Sequence, residues 1–112
     1  MAITIKNIIP RKQAEAVQTS QYTSDNAKTL IDKFTATNTS ASNVDFSVNL
    51  VATGDSASDA NLVLDTRTLA PGETYTCPEL IGQVLEAGGF ISTLAGAATS
   101  ITISATGRVI TG

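Results

Sequence analysis

The chain has no histidine, no tryptophan, one cysteine, three prolines, two tyrosines and three phenylalanines in 112 residues. Histidine has the unperturbed pKa nearest neutrality and is the commonest metal ligand. Its absence excludes imidazole-activated nucleophiles, imidazole proton shuttles and His-based metal centres. A single cysteine, Cys77, excludes an intrachain disulfide, so the fold does not depend on an oxidising compartment. No run approaches the ~20 apolar residues that span a bilayer. The opening MAITIKNIIP lacks the basic start, apolar stretch and small-residue cleavage site of a secretory signal. The expectation is cytoplasmic synthesis with no membrane partner, and the sequon Asn38-Thr39-Ser40 then reads as a loop.

What the chain does have is 17 threonines, 15 alanines and 10 serines, more than a third of its length. Short side chains lose little rotamer freedom when packed against a partner. That composition suits a rigid surface better than a reactive pocket. The length fits one domain, which would bury roughly 60–70% of its unfolded surface. A net charge of −3 argues against the basic footprint of a duplex-binding protein, so no nucleic acid partner is expected. The charge is lopsided. Residues 1–33 carry five cations (Lys6, Arg11, Lys12, Lys28, Lys33) and three acids, a net +2, and the remainder carries −5. Either this is an ordinary solvated surface, or the N-terminal part of one subunit lies on the acidic body of a neighbour.

Period-two alternation dominates. Val44-Asp45-Phe46-Ser47-Val48-Asn49-Leu50 places four apolar residues on one face, and Ile101-Thr102-Ile103-Ser104-Ala105-Thr106 repeats the pattern. Leu30, Phe34 and Ala36 predict a preceding strand. Further strands are expected at 61–69, 74–77 and 90–94, with Pro71-Gly72 at the centre of a type II turn. The stretch Pro78-Glu79-Leu80-Ile81-Gly82-Gln83-Val84-Leu85-Glu86 predicts the one short helical turn, ended by Gly88 and Gly89. The fold class is therefore all-β, a single antiparallel β-sandwich, Ig-like or jelly-roll-like. Its expected core face is Leu30, Phe34, Val44, Phe46, Val48, Leu50, Leu62, Leu64, Tyr75, Ile101 and Ile103.

Residues 1–20 fit this pattern least well and are read as an N-terminal arm, with 21–112 as the sandwich domain. Ile3-Thr4-Ile5 is strand-like, Pro10 interrupts, and residues 13–18 are ambiguous between a helical turn and extended chain. Two arrangements are open: an arm tucked onto its own sandwich, or one reaching a neighbouring subunit. In the second, Ile3, Ile5, Lys6, Ile8, Ile9, Arg11 and Lys12 are the candidate subunit contacts.

Candidate chemistry is thin. Cys77 lacks an activating imidazole and shares its phase with Tyr75, so it reads as a small core residue. The acids show no pairing of the kind glycosidases need. The loop 54–61 offers Asp55, Ala57 and Asp59 at alternate positions, but Ala60 stands where a helix-loop-helix calcium site requires glycine, and Thr66 where it requires Glu. No enzyme activity, cofactor or metal site is expected.

The succession Phe34-Thr-Ala-Thr-Asn-Thr-Ser, Val44-Asp-Phe-Ser-Val-Asn-Leu, Leu69-Ala-Pro-Gly-Glu-Thr-Tyr and Ile101-Thr-Ile-Ser-Ala-Thr-Gly-Arg resembles small β-sandwich virion structural proteins of tailed bacteriophages. The resemblance spans roughly residues 5–110 and lies in strand-and-turn texture. It implies a non-enzymatic protein located in the virion and made in the host bacterial cytoplasm. Its implied partners are the major capsid protein or other virion proteins, as a homo-oligomer or in many copies on the particle. The leading expectation is a capsid decoration (cement) protein that clamps neighbouring capsomers. The alternatives are a neck or tail subunit in a ring and, from another class, a carbohydrate-binding β-sandwich module, which the scarcity of aromatic rings weakens.

Overall fold

The computed structural model describes residues 2–111. They form β1 (Ala2–Gln13), β2 (Thr19–Thr23), β3 (Lys28–Asn38), β4 (Val44–Val51), β5 (Leu62–Leu69), β6 (Thr74–Tyr75), β7 (Val84–Leu85), β8 (Phe90–Ala95) and β9 (Ile101–Thr111). Every pairing is antiparallel: β1 with β9, β2 with β8, β3 with β6 and β7, β4 with β5. Nested pairs of this kind make one long double ribbon whose tip is the β4–β5 connection. Two more pairings, β9 with β3 and β8 with β4, roll the ribbon into two facing sheets. Their orders are β1-β9-β3-β6, with β7 also on β3, and β2-β8-β4-β5. This is a double-sheet jelly roll.

The alternating strands supply the interior. Val44, Phe46 and Val48 enter from one sheet and Phe34, Ala36, Ile101 and Ile103 from the other, all buried. Phe34 and Phe46 meet across the interface with ring centroids 6.4 Å apart and planes tilted by 38°. Each large apolar side chain fully removed from water contributes about 1.5–3 kcal/mol. Leu64 is also buried, and Leu50 and Tyr75 pack half-buried against the same core.

Two residues expected in the core lie outside it, each because a bulge reverses the alternation. On β3 the register shifts between Ile31 and Lys33, so Thr29 and Ile31 turn inward and Leu30 lies opposite Arg108 on the outer face. On β5 a shift opposite Val48 and Asn49 leaves Leu64 inside, and Leu62 lies beside Asn49 while Val63 packs on the core. Gly107 of β9 faces both the β3 bulge and a shift in β1. A Cβ there would collide with the Leu30 carbonyl oxygen, so only glycine fits.

The helical turn expected at 78–86 is not formed. Instead, tight turns run from Leu80 N–H to Cys77 O at 3.0 Å and from Gln83 N–H to Leu80 O at 3.2 Å. Gly82, at φ +84°, leaves the right-handed region and stops any helix. Its N–H donates to Ile31 O at 2.8 Å, and Ile31 N–H donates to Gln83 O at 2.9 Å, which ties the segment to β3 and leads into β7. The apolar quartet divides accordingly: Leu80 and Leu85 are buried, Ile81 and Val84 exposed. The one 3₁₀ turn among the described residues is Asp59–Asn61, capped by Ser58. The Pro71-Gly72 turn has the expected geometry, with Glu73 N–H donating to Ala70 O at 3.0 Å and Gly72 at φ +79°.

Asn38 ends β3 and is fully buried, where a loop residue was expected. Its amide donates to Ser42 O at 2.7 Å and Leu69 O at 2.8 Å, and its Oδ1 accepts from the Ser40 N–H and hydroxyl. It fastens the β3–β4 loop to the end of β5.

Candidate assembly surface

All seven candidate contact residues lie on β1, the outermost strand of its sheet, which is paired on one side only. Within one copy, residues 2–13 therefore complete the chain's own sheet and leave one edge open. A register shift between Lys6 and Ile9 divides the strand. Beyond it, Ile8 and Ile9 are both buried in the core. Before it, Ile3 is 57% and Ile5 81% exposed. Lys6 places its ammonium 5.7 Å from the Tyr22 ring centroid. Lys12 pairs with Glu15 at 3.0 Å, and a hydrogen bond from Gln21, followed by that from Lys12, holds the Glu15 carboxyl below its ordinary pKa. Arg11 is exposed and makes no ion pair among the described residues.

The ladder register sets the height of each residue across the sheet. One row runs Ile5, Arg108, Leu30, Val84, with its ends at opposite edges. Another runs Lys12, Ile103, Ala36, Tyr75. Between the edges the outer face carries Thr35, Thr37, Thr102 and Ser104, and the Arg108 guanidinium binds the Asp32 carboxylate at 2.8 Å.

The far edge has the opposite charge. The β6–β7 edge carries three acids, Glu73, Glu79 and Glu86, with Arg67 and Lys28 beside it, whereas residues 2–13 hold three cations and no acid. At β6 the Arg67 guanidinium stacks 4.3 Å from the Tyr75 ring centroid. The Tyr75 hydroxyl donates to the Glu79 carboxylate at 2.7 Å, which lowers the Glu79 pKa and raises that of Tyr75. Sequence reading had located the cations but not this opposing edge, because the placement of β5, β6 and β7 depends on how the ribbon rolls.

Cys77 is fully buried behind this edge. Burial, and secondly the charge of Glu79, push its thiol up to about 12, so the reactive thiolate is suppressed at neutral pH. A shallow depression of about 280 Å³ on the other sheet is lined by residues that include Gln18, Asn49, Asp59, Asp65 and Thr66, and by no aromatic ring. The Asn49 amide there already donates to Ser58 O and Asn61 Oδ1 and accepts from Gln18.

No family model matches the chain, and no curated protein matches its sequence. Among solved structures, a chain in the structure of infectious bursal disease virus Gx strain is similar to 98% of this chain, with a TM-score of 0.57 at 12% identity. The likeness is one of fold. This chain spans 33% of the length of that virus chain.

Proposed function

We propose that the chain is a non-enzymatic structural subunit of a virus particle, and specifically a phage capsid decoration protein that binds the major capsid protein on the outer shell and clamps neighbouring capsomers. The observation that carries this reading is the rolled double ribbon, shared over almost the whole chain with a virus chain. The same architecture also serves lectins and cupins. Against those uses stand a sequence with no imidazole for a metal and a depression with no ring for a sugar to stack on. Short threonine and serine side chains on the outer sheet face favour rigid docking, since they have little rotamer entropy to lose.

Immunogold labelling of the tagged chain on purified particles of the virus that encodes it tests the proposal. Gold spread over the shell is the expected result. A cluster at a single vertex overturns decoration in favour of a neck or tail ring, and particles without label overturn the virion reading.

A further inference from the structure

We propose that the open β1 edge of one copy docks head to tail on the β6–β7 edge of a second copy. This holds whatever particle the chain belongs to, because it follows from the two edges alone.

The first argument is charge. The β1 strand carries three cations and no acid, with Lys12 held by Glu15 and Arg11 unpaired among the described residues, and the β6–β7 edge carries Glu73, Glu79 and Glu86, of which Glu73 lies 4.0 Å from Arg67 and Glu86 3.5 Å from Lys28. Two β1 edges brought together would place like charges in one contact, whereas β1 on β6–β7 places opposite ones together. The second argument is height. The row ending at Ile5 on one edge ends at Val84 on the other, and both are large, apolar and solvent-exposed. The row ending at Lys12 ends at Tyr75, whose hydroxyl is bound to Glu79. A neighbour translated sideways with no change of height therefore meets Ile5 with Val84 and the Arg11–Lys12 pair with Glu79. The third argument is the edge itself. Exposed strand edges are normally blunted by charge, proline or brevity. Residues 2–5 of β1 are Ala, Ile, Thr and Ile, with none of these protections.

A contact between different patches repeats, closing into a ring or continuing as a filament according to the rotation per subunit. Sedimentation velocity of the full chain over a concentration series, at low and high salt, reads it directly. The expected result is concentration-dependent association that weakens with salt. Arg11→Glu/Lys12→Glu and Glu73→Lys/Glu79→Lys should each weaken it by on the order of tenfold. An equimolar mixture of the two variants should associate again, because the reversed β1 edge of one then meets the reversed β6–β7 edge of the other, and native meets native, both with opposite charge. If the second variant melts early, Ile5→Asp and Val84→Asp decide the matter, and both should abolish association. A chain that stays monomeric throughout, a mixture that fails to recover when both variants are folded, or loss confined to β1 variants each overturns the proposal, the last pointing to β1-on-β1 pairing.

Discussion

The two halves of β1 share a strand and a partner but have different energetics. Both pair with β9, at Ala2–Lys6 and at Ile9–Gln13. In the second half Ile8 and Ile9 are buried, while in the first half the residues pointing to both faces, Thr4 as well as Ile3 and Ile5, are exposed. A ladder hydrogen bond contributes about 0.5–1.5 kcal/mol net, against roughly 1–2 kcal/mol of backbone entropy for each residue ordered. Pairing without burial is thus close to neutral. Pairing with burial gains a further ~1.5–3 kcal/mol for each isoleucine. The first half gains little by lying on its own sheet, and a surface that covers it would gain the rest.

The sharpest way to break this comparison is the same substitution in each half. Ile9→Asp puts a carboxylate in the core and should cost about 4 kcal/mol or more, as should Val48→Asp at the centre of β4. Ile5→Asp should stay within about 0.5 kcal/mol of the parent. Chemical denaturation of the three variants checks this, and comparable losses at Ile5 and Ile9 would remove the distinction.

Truncation comes next in size. Deleting residues 1–6 should leave the melting temperature nearly unchanged while removing self-association. Deleting residues 1–12 also removes Ile8 and Ile9, costing about 3–6 kcal/mol from the two isoleucines and lowering the melting temperature markedly. Differential scanning calorimetry paired with sedimentation separates the two outcomes.

The alternation at 44–50 and 101–106 was legible because those strands keep a strict period of two, and Pro71-Gly72 because one turn type demands that pair. The phases of Leu30 and Leu62 were not, since a bulge adds a residue without a sequence mark. At Ile8-Ile9, two adjacent isoleucines both buried, a bulge does leave a trace. Helical spacing at 80–85 misled for another reason: tertiary hydrogen bonds from Gly82 and Gln83 to Ile31 outweighed a local preference too short to stand alone. The cations of the candidate assembly surface were visible as a bias in the first 33 residues, but the acidic edge opposite them exists only once the ribbon rolls.

Gly107 lies opposite the junction of the two halves, paired with Lys6 on one side and Ile31 on the other. Gly107→Ala forces its methyl onto the Leu30 carbonyl, so the strands must part or the bulges shift. The expected cost is roughly 1–3 kcal/mol. Denaturation should read it in the whole chain and equally in the chain lacking residues 1–6, since the collision is with β3 and not with β1.

The smallest expected effect is on pH dependence, and it too separates the halves. Glu15, just beyond the second half, is held by Gln21 and Lys12, and its pKa is lowered below 4.5 in the folded chain. The unfolded chain therefore takes up this proton more readily than the folded one. The contribution is fully present at neutral pH, declines as pH falls through the ordinary carboxylate range, and is gone below the folded value. Both side chains of the Lys12–Glu15 pair are 40% exposed, so screening keeps the effect slight. Residues 2–13 contain no carboxylate, so the first half has no matching transition. Amide exchange protection at Ala14, whose N–H donates to Ile101 O at 2.8 Å, should fall on acidification once the intrinsic exchange rate is divided out. Glu15→Gln should flatten that profile while leaving the protection of Thr4 unchanged. A profile at Ala14 that Glu15→Gln leaves untouched would show that the second half is held by its isoleucines alone.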